Sequence, residues 1–114
     1  MTVNGGRSNS MLQDLLSIGL PFPLWAAEIF GDLVVVLFHP DGGLDSVGQF
    51  HNLRAYRPDG FEEWAAELPT STSSDCFVSL TVGDLRAVHA RSFSGYRCMI
   101  DSRTGDLLTT EFTK

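Results

Sequence analysis

The sequence predicts a mainly β protein, an antiparallel β-meander of about seven strands with a short N-terminal helix. Three observations predict it. Turn-forming residues recur roughly every eight to twelve positions from Gly31 onward, the spacing of a chain that reverses strand by strand. Residues 50–68, FHNLRAYRPDGFEEWAAEL, divide into two strand-like runs around Arg57-Pro58-Asp59-Gly60, where Pro58 presets a turn corner and Asp59-Gly60 tolerates positive φ. Past Gly31 no apolar periodicity of helical length interrupts the pattern, which disfavours parallel β-α-β units.

In chain order, residues 1–9 are polar with Gly5-Gly6 and read as a disordered lead to a single β-rich domain over 10–114. Ser10 is placed to cap a short helix reaching about Ile18, with Met11, Leu12, Leu15 and Leu16 forming one apolar stripe. Gly19, Pro21 and Pro23 end it. Residues 22–30 read as strand because Gly31-Asp32 follows as a tight turn, although Trp25-Ala26-Ala27-Glu28 also suits a helical turn. Leu33-Val34-Val35-Val36-Leu37-Phe38 has no alternation, the mark of a central strand covered on both faces. Pro40 stops it, and 42–48 reads as a loop. After the 57–60 turn, Trp64, Ala66 and Leu68 share one face and Glu63 and Glu67 the other. Cys76, Val78, Leu80 and Val82 alternate with Phe77, Ser79 and Thr81, which predicts an inward Cys76 and an outward Phe77. Gly83-Asp84 reads as a hairpin turn, and residues 85–91 as its returning strand. Ser92-Phe93-Ser94-Gly95 turns the chain again, and 96–112 closes it as a second hairpin.

That last hairpin echoes the 50–68 hairpin. The first carries Ala55, Asp59-Gly60 and Trp64; the second carries Asp101-x-x-Thr104-Gly105, with Thr109 where a Trp would fall. Together they resemble the docking motif of quinoprotein-type β-propeller blades, Ala-x-Asp-x-x-Thr-Gly-x-x-x-Trp. The first copy is one residue short and lacks the Thr; the second lacks the Ala and the Trp. In physical terms an Asp or Thr side chain ties the turn, and a downstream aromatic covers the neighbouring sheet. A full propeller does not fit in 114 residues. The resemblance therefore implies two blade-like units, forming one curled sheet or a small sandwich with the helix over an open end, or a ring completed by self-association. The whole pattern, with Asn52-x-x-Ala55, Gly60-x-x-x-Trp64 and the terminal Asp101-x-x-Thr104-Gly105, also resembles small acidic bacterial proteins of uncharacterised function. Some such proteins are immunity partners of secreted toxins.

Eight basic and fourteen acidic residues give a formal charge of −6, the wrong sign for a phosphate-binding footprint, so no nucleic-acid role is expected. A basic protein partner is compatible with that charge. Residues 1–10 lack the apolar centre of a signal peptide, no apolar run spans a bilayer, and a cytoplasmic setting is the default expectation. Cys76 and Cys98 are too few for a disulfide scaffold and lack zinc spacing; both are expected as small buried hydrophobes, with a single bridge as the alternative.

Little here points to catalysis. His39, His51 and His89 form no pair at metal-ligand spacing, so no metal and no cofactor is expected, the weak alternative being a site from His39, His51 and Asp41. Ser92, His89 and Asp101 lack a nucleophile elbow. Glu63 and Glu67, four apart on a strand, stand about 13 Å from each other, too far for a glycosidase pair. Tyr and Arg anchor protein interfaces; Arg54, Tyr56 and Arg57 sit opposite Leu53 and Ala55 or at the turn, Phe77, Tyr96 and Arg97 lie on nearby strands, and a curled sheet would bring all six to one open face. The expected function is a non-enzymatic protein-binding module using those residues, an immunity protein in the form the resemblance implies. Two alternatives stay open. One is a small-ligand binder with a pocket near Trp25, Trp64 and Tyr96. The other is a module that self-associates, as a homodimer or larger, through open strand edges.

Overall fold

The computed structural model of the chain describes residues 5–43, 48–72, 74–82 and 87–113. Helix α1 spans Gly5–Ile18. Eight strands follow: β1 Leu24–Phe30, β2 Leu33–Phe38, β3 Leu53–Tyr56, β4 Glu62–Ala65, β5 Phe77–Val82, β6 Ala87–Ser92, β7 Tyr96–Asp101 and β8 Leu107–Phe112. They form two four-stranded antiparallel sheets with strand orders β1-β2-β3-β4 and β5-β6-β7-β8. The meander is as expected, with two corrections to its form. The described residues hold eight strands where about seven were expected, and the 22–30 segment read as strand is one of them, β1. Of the two expected forms, one curled sheet or a small sandwich, the curled sheet is excluded: the strands lie in two separate sheets that share a core.

Helix α1 starts at Gly5, ahead of the expected Ser10 cap and within the 1–9 span read as a lead. Once a helix is nucleated, each added residue gains a backbone hydrogen bond, which lets it run into poor formers such as Gly6. Its end is as anticipated: Gly19 takes φ +99° and donates its N–H to the Leu16 carbonyl. Met11 and Leu15 are buried, whereas Leu16 is exposed.

Strand β2 explains the layering. Val35 and Leu37 point into a central core between the sheets, with Leu53, Ala55, Trp64, Phe77, Val88, Ala90, Cys98 and Ile100. Val34, Val36 and Phe38 point the other way, into a second core with Met11 and Leu15 of α1, Phe50 and Tyr56. The first sheet is thus covered on both faces, which is why its middle strand shows no alternation. The β1–β2 reversal is the tight Gly31-Asp32 turn, with Gly31 at φ +58°. The 83–84 turn, Leu85 and most of the 42–48 loop lie outside the described residues; the start of that loop is a 3-10 turn, Pro40–Gly43.

The two hairpins meet. Trp64 of β4 donates its indole N–H to the Ser102 carbonyl at 3.0 Å, and a Cβ at Gly105 would lie 2.8 Å from the Trp64 ring. Gly105 also sits at φ +79°, so both space and backbone demand glycine there. The Asp101 carboxylate accepts from the N–H groups of Arg103 and Thr104, which ties the β7–β8 turn.

Two buried polar side chains fasten the rest. The Asn52 amide, at 0% exposure, donates to the Phe38 and Phe77 carbonyls and accepts the Phe77 N–H, bridging the two sheets. The Asp75 carboxylate accepts from the Thr70 hydroxyl, the Cys76 N–H, and the N–H and hydroxyl of Ser94. Among the described residues no buried side-chain N or O lacks a partner. Both cysteines are free and buried, Cys76 in the core under α1 and Cys98 between the sheets, as small hydrophobes.

Candidate functional site

The six residues expected to form a contact surface do not converge. Arg54 donates from Nε to the His51 carbonyl at 2.7 Å, meets Glu62 at 3.4 Å, and lies over the Phe22 and Phe38 rings on the helix side of the first sheet. Tyr56 is buried beside it and donates its hydroxyl to Glu62 at 3.0 Å. Burial first, and then that bond to Glu62, push its phenol above the usual range. Arg57 sits at the β3–β4 turn, paired with Glu63 at 2.8 Å and stacked on Phe61. Phe77 is the clearest correction: it is 0% exposed, inside the central core. The register of β5 against β6 shifts between Phe77 and Ser79, so Val78 is an extra residue there and the alternation changes phase. Phe77 and Leu80 therefore face inward together, while Cys76 and Val78 reach the core under α1. Tyr96 packs its ring on Phe112 at the rim of the central core. Arg97 alone stands on an open sheet face, 3.9 Å from Glu111.

The pocket suggested by Trp25, Trp64 and Tyr96 is also not assembled. Trp25 is exposed and edge-on to His39, whereas Trp64 lies in the central core. His51 points Nδ1 at the Ala66 carbonyl, and His39 accepts the Asp41 N–H at its own Nδ1. Among the described residues no group of three metal-ligating side chains comes together.

What the topology does assemble is the outer face of the second sheet. Cross-strand partners share a face, so the registers place Ser79, Arg91, Arg97 and Glu111 in one row. Thr81, His89, Met99 and Thr109 form the next row. Arg91 and Arg97 are directly opposite each other. Ser79, Thr81, His89, Ala90 and the two arginines line a shallow hollow of about 340 Å³. Arg91 also donates to the Thr113 hydroxyl at 3.2 Å. Sequence reading found Arg97 but missed Arg91, His89, Ser79 and Thr81. The available signal was their shared period-two phase, and it needed the strand register to become a site. Two further hollows lie at the opposite kind of location, among the turns near Asp32, Arg57, Asp59 and Glu63, and near Ser102 and Arg103.

A family defined as a domain of unknown function, DUF7957, matches residues 11–112. The chain belongs to that family. The match takes in the apolar stripe of α1 and all eight described strands. No curated protein matches the chain. Among solved structures, the crystal structure of the computationally designed Ika8 protein is similar, with a TM-score of 0.53 and 16% identity. The likeness covers 80% of this chain and 24% of that one, so the chain spans about a quarter of that protein's length. That likeness concerns the fold alone. No described helix is long and apolar enough to cross a membrane.

Proposed function

We propose that this DUF7957 domain is a non-enzymatic protein-binding module whose contact face is the outer side of the second sheet. One observation carries the reading. Of the four sheet faces, two share the central core and one is covered by α1, while the face bearing Ser79, Arg91, Arg97 and His89 has no described element over it. Arginine is enriched where interfaces form. The particular form of the role is that of an immunity protein holding a toxin partner. The two sheets act in this reading as two blade-like units, docked through Trp64 on Gly105.

The charge of −6 favours encounter with a partner that is basic as a whole, while the Arg91–Arg97 row meets an acidic group at the point of contact. The two statements concern different length scales, since screening limits long-range steering and direct contact escapes it. Co-expression with the product of the adjacent open reading frame, followed by pull-down, tests the proposal. A partner retained at micromolar concentration by the native chain and lost by Arg91→Glu/Arg97→Glu is the expected result. Retention of no partner, or equal retention by the variant, overturns it.

A second reading is self-association through β8. Its edge is unpaired in the sheet order, and five of its six residues are exposed. It predicts a dimer or larger species in light scattering, and a monomer at all concentrations removes it.

A further inference from the structure

We infer that the hollow between Arg91 and Arg97 is an oxyanion site, built to seat a carboxylate or phosphate group. The starting point is a local conflict. In an antiparallel pair, directly opposite residues hold their Cβ atoms only about 4.5–5.5 Å apart, and like charges there are unfavourable. This chain has an excess of acid, yet it sets two of its arginines opposite each other. The row contains Glu111, but on the far side of Arg97 and 3.9 Å from it, where it does not come between the two guanidinium groups. Asp101, at the other end of β7 from Arg97, is engaged by the Arg103 and Thr104 N–H groups of its own turn. Among the described residues no carboxylate therefore stands between the two guanidinium groups.

The lining has the composition an oxyanion needs. Arg91 and Arg97 bring planar guanidinium donors that match the oxygens of a carboxylate or phosphate. Ser79 and Thr81 bring hydroxyls from the neighbouring strand, and His89 brings a ring nitrogen. Among the described residues no acidic side chain lines the hollow. Its floor is a hydrogen-bonded sheet whose centre strands are held by the central core, so the donors stand on rigid backbone. An anion placed between the two guanidinium groups converts their repulsion into two attractions.

The inference rests on the proposed function only for the source of the anion, an acidic side chain or phosphorylated residue of the protein partner. The site itself is tested without that partner. Inorganic phosphate, glutarate and a hexaglutamate peptide are titrated into the full chain, followed by backbone and arginine side-chain NMR. The expected result is saturable shifts centred on Ser79, Thr81, His89, Ala90, Arg91 and Arg97, half-complete in the millimolar range for phosphate. Arg91→Gln weakens binding at least tenfold, and Arg91→Gln/Arg97→Gln abolishes it while the β-sheet spectrum is retained. Arg57→Gln, at a turn outside the hollow, leaves the shifts unchanged. Absence of saturation with all three probes, or equal shifts in the double variant, overturns the inference. Saturation by phosphate with no response to the peptide keeps the oxyanion site and removes the acidic protein surface as its source.

Discussion

The outer faces of the two sheets are built from the same kind of strand and solve opposite problems. On the first sheet the outward residues of the central strands are Val34, Val36, Phe38 and Tyr56, and α1 closes over them with Met11 and Leu15. On the second sheet the corresponding rows are Ser79–Arg91–Arg97–Glu111 and Thr81–His89–Met99–Thr109, with no described helix over them. The contrast separates what holds the domain together from what is left to meet other molecules. An apolar outer face must be covered, because each large side chain buried there contributes about 1.5–3 kcal/mol. A polar outer face adds little to folding and is free to be chosen for contact.

The largest effects are expected on the covered face. Phe38→Ala removes a fully buried ring that packs edge-on to Phe22 and Tyr56. Loss of about 3–5 kcal/mol in urea unfolding is expected. Leu15→Ala, on the helix side of the same core, is expected to cost about 2–5 kcal/mol by the same mechanism. If either substitution is as harmless as His89→Ser on the open face, whose cost is expected within about 0.5 kcal/mol, the two faces are not different in kind.

The cysteines sharpen the comparison through pH. Burial pushes the Cys98 thiol from 9.0 up to about 11, and burial, followed by the charges of Asp75 and Asp41, raises Cys76 as well. A thiol whose folded pKa is raised favours the protonated, native form. Its contribution is fully present below the unfolded value of 9.0 and is lost as pH rises through about 11. Stability in the presence of a reductant should therefore fall over that interval. Tyr56 adds a loss of the same sign starting near its unfolded value of 10.0. The fall should be shallower in Cys98→Ala than in the native chain. Native protein at pH 8 should react with a thiol reagent only at the rate of unfolding, and a fast-reacting thiol would place that cysteine outside its core.

Much of the fold was readable because local pattern and burial agree. Leu33–Phe38 lacks alternation, and it is the strand with apolar layers on both sides. Trp64, Ala66 and Leu68 alternate with Glu63 and Glu67, and the first three are buried. Asp101-x-x-Thr104-Gly105 predicted a side-chain-tied turn, and its carboxylate makes those bonds. The failures have a common cause in single events that pattern does not encode. One extra residue at Val78 reverses the facing of Phe77, and a run of Phe, Val, Ser and Leu is compatible with either phase. Asn52 and Asp75 find partners up to 25 residues away, so their roles exist only once the sheets have met. The candidate site fails for the same reason. Arg97 was visible as an outward arginine, but its opposition to Arg91 is a property of register.

The smallest predicted effect is the most informative about that register. Arg91→Gln removes one member of a directly opposed like-charge pair and leaves Arg97 with Glu111. It also gives up the exposed bond from Arg91 to the Thr113 hydroxyl, which a glutamine amide can partly replace. Relief of a like-charge pair on a sheet is worth about 0.2–1 kcal/mol. The substitution should therefore raise the unfolding midpoint slightly at low salt, and the gain should shrink at high salt as screening weakens the repulsion already present in the native chain. Arg97→Gln should gain less, because it also gives up the contact with Glu111. A stability gain at Arg91 coupled to loss of phosphate binding would mark the pair as retained for contact at a cost to folding. A loss of stability of more than about 1 kcal/mol in Arg91→Gln would mean that the arginine holds the open face together, and the distinction between the two faces would fail at its central residue.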